Sequence, residues 1–382
     1  MRMATMANMA TFGYTSFPQQ VVFGEGSLDR LGEVTERLGW RRLLLCVTSH
    51  ARARGQLAPV ETALGERLAA TFEGVAPHVP ESAVVEAVAM ATHADVDAII
   101  GLGGGSAIGV AKATANALGG AISVVAIPTT YAGSEMTPVF GVTRLVDGEQ
   151  RKVTVRDPNI APRLILYDPL LTLDLPPRET AGTGINAVAH CVEALYSITR
   201  NPVCSAVALA GLRAIAAALP AVYADGADRA ARAAMLQGAY LAGTALANVA
   251  MGLHHGICHV IGGATGAAHG DVNAIMLAHV MRFNLGGPAG EGGVAPELAQ
   301  AAEAMGVEVG GRDPRAAGGD AAQMVAGWVA QMGLPTRLRE IGVREEQLPT
   351  LSRDAFASRT VHNNPVPITD VAQIEALLRA AW

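Results

Sequence analysis

Short apolar runs alternate with helical patterns up to about residue 170, and then the runs stop. "RRLLLCVTS" (41–49), "TFEGVAP" (71–77), "DAIIGLG" (97–103), "SVVAIPT" (123–129) and "RLILYDP" (163–169) read as buried strands. Between them, 56–69, 82–94 and 106–118 carry apolar residues at helical spacing. Strands joined through helices form a parallel sheet with helices on its faces. One stretch departs from this rhythm: "VTRLVDGEQRKVTV" (142–155) places two β-rich runs around Asp147-Gly148, a tight-turn pair, and predicts an inserted β-hairpin. Downstream, 175–197, 203–219, 228–248, 254–262, 271–284, 295–305, 319–332 and 370–380 predict helices, punctuated by Gly/Pro clusters such as "NLGGPAGEGG" (284–293). The expected architecture is an α/β domain over 1–169 followed by an all-helical domain over 170–382. A chain of 382 residues exceeds one ordinary core, which suits two domains. A cleft between them is a favoured ligand site.

Composition narrows the function classes. A net charge of −6 leaves no electrostatic footprint for nucleic acid. Of 28 Lys and Arg residues only Lys112 and Lys152 are lysines, so each stands out. Cys46, Cys191, Cys204 and Cys258 lie in apolar runs without CxxC pairing and read as buried reduced thiols, the usage of a cytoplasmic protein. The first seventeen residues lack the continuous apolar core of a secretory leader. The stretch closest to a membrane span, 233–251, contains Gln, Tyr, Asn and Gly and fits a buried soluble helix better.

"DAIIGLGGGSAIGVAKATA" runs strand, glycine loop, helix. Gly103, Gly104 and Gly105 let the backbone approach a pyrophosphate, and Ser106 opens a helix whose free N–H groups and dipole favour an anion. Its place, about a hundred residues into the chain, is not that of an ordinary first Rossmann βα unit. In "AIPTTYAGSEMTP", Thr129 and Thr130 follow the next strand and present two hydroxyls at the same sheet edge, which suits a dinucleotide. Either loop alone is also an ordinary turn.

"GLHHGICHVIGGATGAAHG" (252–270) holds four of the chain's ten histidines. His255 and His259 are four apart on an expected helix and share a face. His269 follows a small-residue loop that can fold back towards them. Upstream, Asn186 and His190 are likewise four apart in "GTGINAVAHCVEAL". Convergence of these groups would make a metal or acid–base site. His50, His93, His254 and His279 read as packing or surface residues.

The motifs "GGGSAIGVAKA", "IPTTYAGSEMT", "TGINAVAHCVEA" and "HGICHVIGGATGAAHGDVNAIMLAHVMRFN" resemble the iron-containing alcohol dehydrogenase superfamily in order and spacing over nearly the whole chain. The resemblance implies the dehydroquinate synthase-like two-domain plan, with NADH or NADPH in the cleft. In metal-dependent members an Asp and three His hold the ion; the matching positions here are Asn186, His190, His255 and His269, and His259 matches a non-ligand histidine close to the nicotinamide. Asn186 removes the only negative charge of that set, so the metal site is degenerate and no metal is expected to be required. "FGYTSFPQQVVFGEGSLDRLG", "VAPHVP" (75–80) and "HNNPVPIT" (362–369) resemble the maleylacetate reductase branch. That resemblance implies NAD(P)H-dependent reduction of maleylacetate to 3-oxoadipate in the degradation of aromatic compounds, by a homodimer acting on a small dicarboxylate.

On this reading His255 and His259 are the main proton and hydrogen-bond donors, with His190 and His269 in the same pocket. Asn186, His362 and Asn363 are the expected substrate contacts by resemblance, with Arg144 or Arg359 as candidate cations. Ser49, in "VTSH" after the 41–49 strand, stands where a ribose-binding carboxylate would repel a 2′-phosphate, which leaves both cofactors open. Lys152 matches a family position that contacts the dinucleotide. A metal-dependent alcohol dehydrogenase, a dehydroquinate synthase-like lyase and a non-enzymatic binding protein are the alternatives.

Overall fold

The computed structural model describes residues 11–146, 149–286 and 293–382. The strands are β1 (Gln20–Phe23), β2 (Leu43–Val47), β3 (Leu68–Phe72), β4 (Ala98–Gly103), β5 (Ser123–Pro128), β6 (Val139–Val146), β7 (Glu149–Arg156) and β8 (Leu164–Tyr167). Six of them form one parallel sheet in the order β1-β8-β5-β4-β2-β3. β6 and β7 pair antiparallel from Val139↔Arg156 to Val146↔Glu149, the expected hairpin. Its turn pair Asp147-Gly148, most of the 284–293 loop and the extreme N-terminus lie outside the described residues. After Tyr167 every described regular element is helical.

Strand alternation sorts the side chains into two cores. Leu43, Leu45, Ile100, Leu102, Val125 and Ile127 face the helices Leu31–Arg37 and Leu57–Leu64. Leu44, Cys46, Ile99 and Val124 face the helices Glu81–His93 and Gly105–Ala117. Burial on both faces explains why these strands read as continuous apolar runs.

Some expectations shift. The helix expected over 56–69 ends at Leu64, because Gly65 (φ +54) leaves the helical region. The strand expected over 71–77 lies at 68–72, paired with β2 through a register shift between Leu43 and Leu44. β1 is an edge strand of four residues, too short for a periodic signal, and exists through its pairing with β8. The helix expected from 319 begins at Pro314, because the Asp313 side chain caps its N–H groups. The helix Leu348–Ala357 has no counterpart among the expected ones. One described helix, Pro202–Ala224 rather than 233–251, is long and apolar enough to cross a membrane by composition. It is packed closely against Arg229–Asn248: a Cβ on Gly238 would come within 2.6 Å of Ile215. All four cysteines are buried and unpaired.

Lys112 is fully buried on the Gly105–Ala117 helix. Its Nζ donates to the Ser134 carbonyl, to Thr137 Oγ1 at 3.2 Å and to the Val139 carbonyl at 3.0 Å. One lysine thus ties the segment after β5 to the helix after β4. Burial lowers its pKa to about 7, and the nearby Glu135 carboxyl works against that. Lys112→Met is expected to strand these acceptors and lower stability by about 2–4 kcal/mol, read as a drop in the urea midpoint; an unchanged midpoint contradicts the tie.

Candidate active site

β3 lies on one side of β2 and β4 on the other, so the chain reverses direction between β2 and β4. In parallel sheets the crevice at the carboxyl ends of such strands takes ligands. Ser49, which opens the helix Ser49–Ala53, follows β2; Gly104, Gly105 and Ser106 follow β4; Thr129 and Thr130 follow β5. The helix Gly105–Ala117 has Gly104 as N-cap and no side-chain cap, so its first N–H groups remain available to an anion. The Thr129 N–H donates to the Gly103 carbonyl at 3.1 Å, and a Cβ on Gly104 would lie 3.1 Å from Thr130 Cγ2. A side chain here would need Thr130 to give way by a few tenths of an ångström, so glycine eases the approach of the two loops. These features fit a dinucleotide pyrophosphate. Lys152 pairs with Thr143 in the hairpin, and its side chain lies outside the described part.

The loop after Thr130 leads directly to the histidines. Gly133 (φ +76) lies against His190; a Cβ there would be 3.4 Å from the imidazole. Asn186 Nδ2 donates to the Ala132 carbonyl at 3.4 Å. Asn186 and His190 project from the helix Pro177–Tyr196, His255 and His259 from Leu253–Thr265, and His269 begins His269–Leu285. The four imidazoles form two stacked pairs. His190 and His255 are buried with ring centroids 4.8 Å apart; His259 and His269, nearer solvent, are 5.5 Å apart. His255 links the pairs, 6.2 Å from His259 and 6.3 Å from His269. The helical spacing and the small-residue loop therefore bring together the groups they were expected to bring together.

Three buried atoms of this cluster have no hydrogen-bond partner: Asn186 Oδ1, His190 Nδ1 and His255 Nε2. Buried polar atoms are rarely left so, which marks a place prepared for a ligand. Burial, then the neighbouring histidines, holds the His190 pKa well below its ordinary range. The cavity at the outer pair is lined by His78, Thr143, Cys258, His259 and His269 together with glycines of the 262–266 turn. His78 (φ +63) and Val79 (φ +53) carry left-handed backbone, held by Thr143 Oγ1 donating to the His78 carbonyl at 2.8 Å and by Val79 packed against Gly109. Consecutive strained non-glycine residues beside a cavity are a recurrent mark of functional segments.

Other expected positions lie elsewhere. His362 is exposed; its Nε2 bonds the Phe356 carbonyl at 2.6 Å and its ring packs on Phe356, with no described contact to the cluster. Asn363 Nδ2 donates to the Met251 carbonyl at 3.3 Å, beside the start of the His255 helix. Arg144 pairs with Glu81 at 3.0 Å and lines a different groove, because it alternates with Thr143 along β6. Arg359 is exposed. His254 is a packing histidine as expected: fully buried, its Nε2 is 2.7 Å from Asn273 Oδ1.

Burial, followed by the His255 neighbour, lowers the His254 pKa from 6.5 to about 4. Between those values the unfolded chain binds protons that the folded chain refuses. The stability present above pH 6.5 is therefore lost as the pH falls towards 4, by about 2–3 kcal/mol. The expected result is a lower melting temperature at pH 5 than at pH 7; an equal one contradicts it.

Sequence reasoning missed Glu193, which is buried and bonded to His255 Nδ1. A signal existed: it is the sole charge in the apolar stretch 184–198, three residues after His190 on the same helix face.

Comparison with known proteins decides the family. A model of the Fe-containing alcohol dehydrogenase family, C-terminal, matches residues 180–382, and one of iron-containing alcohol dehydrogenase matches residues 18–169. The chain belongs to the iron-containing alcohol dehydrogenase family. Within that family it is 44% identical to maleylacetate reductase 2 of Cupriavidus pinatubonensis over 74% of this chain and 77% of that one. It is 34% identical to a maleylacetate reductase of Sphingobium indicum over 97% of each chain. The crystal structure of maleylacetate reductase from Rhizobium sp. superposes with a TM-score of 0.85 at 36% identity, covering 98% of this chain and 99% of that one.

The family name raises the question of a metal. Three imidazoles can hold Zn²⁺ when they converge, but here the fourth group is the amide of Asn186, so the set carries no negative charge. Glu193, the buried carboxylate beside them, is engaged with His255 Nδ1 and backbone N–H groups. Among the described residues no three His, Cys, Asp or Glu side chains converge with ligand geometry. A firmly held divalent cation needs anionic or tightly convergent donors.

Proposed function

We propose that this chain reduces the conjugated C=C of maleylacetate to give 3-oxoadipate with NADH or NADPH, without a metal. One observation carries this reading: a four-histidine cluster completed by the neutral amide of Asn186, in a chain whose near full-length relatives include maleylacetate reductases. The reduced nicotinamide, when bound, supplies a hydride to the alkene carbon distal to the ketone. The π electrons then move onto the ketone oxygen as an enolate. An enolate is less basic than the alkoxide formed from a simple ketone and needs weaker electrophilic help, which imidazole donors can give. His255 Nε2, buried and without a partner, faces this oxygen and donates to it from the imidazolium, in which both ring nitrogens carry hydrogen. A proton delivered to the alkene carbon next to the ketone completes the reduction, and His259 and His269, nearer solvent, restore it. His190 and Asn186 shape the inner wall.

Ser49, Gly104, Gly105, Ser106, Thr129, Thr130 and Lys152 hold the dinucleotide at the sheet edge. The cavity of His78, Thr143, His259 and His269 receives the dicarboxylate. A homodimer belongs to the same reading by resemblance, and a cytoplasmic location by the buried, free cysteines. The test is an assay of chelator-treated protein with NADH and maleylacetate, following nicotinamide absorbance. Rapid oxidation without added metal is expected; activity that appears only with Fe²⁺ or Zn²⁺ overturns the metal-free mechanism, and none under either condition overturns the substrate.

A further inference from the structure

The Leu253–Thr265 helix begins at Gly252, which has no side chain with which to cap it. The cap comes from another helix. Glu193 Oε1 accepts from the Gly252 N–H at 3.0 Å and the His254 N–H at 3.3 Å; Oε2 accepts from the His255 N–H at 3.3 Å and from His255 Nδ1. Every described polar neighbour of this carboxylate is a donor, and its charge sits at the positive end of the helix. A carboxylate with both oxygens committed to donors cannot donate back. His255 Nδ1 therefore carries hydrogen, and Nε2 is the nitrogen left to the cluster, where it is buried without a partner.

We propose that Glu193 is the positioning residue of this site, keeping hydrogen on Nδ1 and fixing the ring plane of His255 so that Nε2 is the atom turned to the substrate, where it donates from the imidazolium that the carboxylate steadies. The role rests on the reading of His255 as the reacting donor, but the hydrogen on Nδ1 does not. The backbone contacts hold the carboxylate in register with the helix start, so the imidazole is oriented by the same group that begins the helix bearing it. Glutamine cannot replace it: one of its two terminal atoms donates, and would face the N–H groups or Nδ1–H.

Two measurements test this. In protein labelled with ¹⁵N at histidine, long-range proton–nitrogen spectra of the wild type are expected to show His255 with hydrogen on Nδ1. A ring with hydrogen on Nε2 and none on Nδ1 overturns the proposal, whether or not the enzyme reduces maleylacetate. In steady-state kinetics, Glu193→Gln is expected to lower kcat by about 10–100-fold, with KM for NADH and maleylacetate within about twofold and Glu193→Asp recovering part of the loss. The same change in a His255→Ala background is expected to cost nothing further, since the two groups act as one unit. An undiminished kcat in Glu193→Gln, or an equal loss with and without His255, overturns the proposal. A wild type inactive on maleylacetate fails the substrate reading instead and leaves the spectrum to decide.

Discussion

His255→Ala is expected to lower kcat for maleylacetate reduction by about 10²–10⁴-fold, the usual contribution of a positioned acid–base group. The argument is geometric. His255 alone stacks on His190, lies within 6.3 Å of both outer histidines and has its far nitrogen held by a buried carboxylate. Its loss removes the inner donor and leaves Glu193 without its side-chain partner. His259→Ala is expected to cost less, because that imidazole lies towards solvent and water can replace part of its role. The check is kcat measured alongside thermal melting, since a buried vacancy also weakens the fold. Full turnover in a folded His255→Ala protein would sink the assignment of the donor.

Asn186→Asp is expected to turn the cluster into a metal site. Asn186 is 5% exposed, its Nδ2 held by the Ala132 carbonyl and its Oδ1 without a partner. An aspartate there buries a carboxylate among imidazoles with no fixed cation beside it among the described residues. Without metal the variant should lose about 3–5 kcal/mol. Zn²⁺ should restore it, because a ligand that binds only the folded state raises stability by mass action. The readout is the melting temperature with chelator and with Zn²⁺, together with metal retained after dialysis. The parent should respond to neither. A variant as indifferent to Zn²⁺ as the parent would show that more than one carboxylate separates this cluster from a metal centre.

Much of the fold was legible because burial on both sides of a parallel sheet writes itself as continuous apolar runs; β2, β4, β5 and β8 fall on theirs. β1 and the start of β3 were not, because four residues carry no period and their state is decided by the neighbouring strand. Within the site, Asn186, His190, His255 and His259 were readable from four-residue spacing on helices. The position of His362 was not readable: its ring turns outward onto Phe356, a packing that no spacing encodes.

By itself, the sequence determined the chemistry available: glycines at a strand-to-helix turn, histidines at helical intervals, and an amide, Asn186, four residues before His190. Those are properties of residue type and local spacing. Only the tertiary structure decided that Glu193 reaches across from one helix to cap the next and take His255 Nδ1, and that His78 from the α/β half lines the cavity of His259 and His269. Such contacts join residues about 60 and 180 positions apart in the chain. No local period encodes them; they follow from how the helices pack against the sheet and against one another.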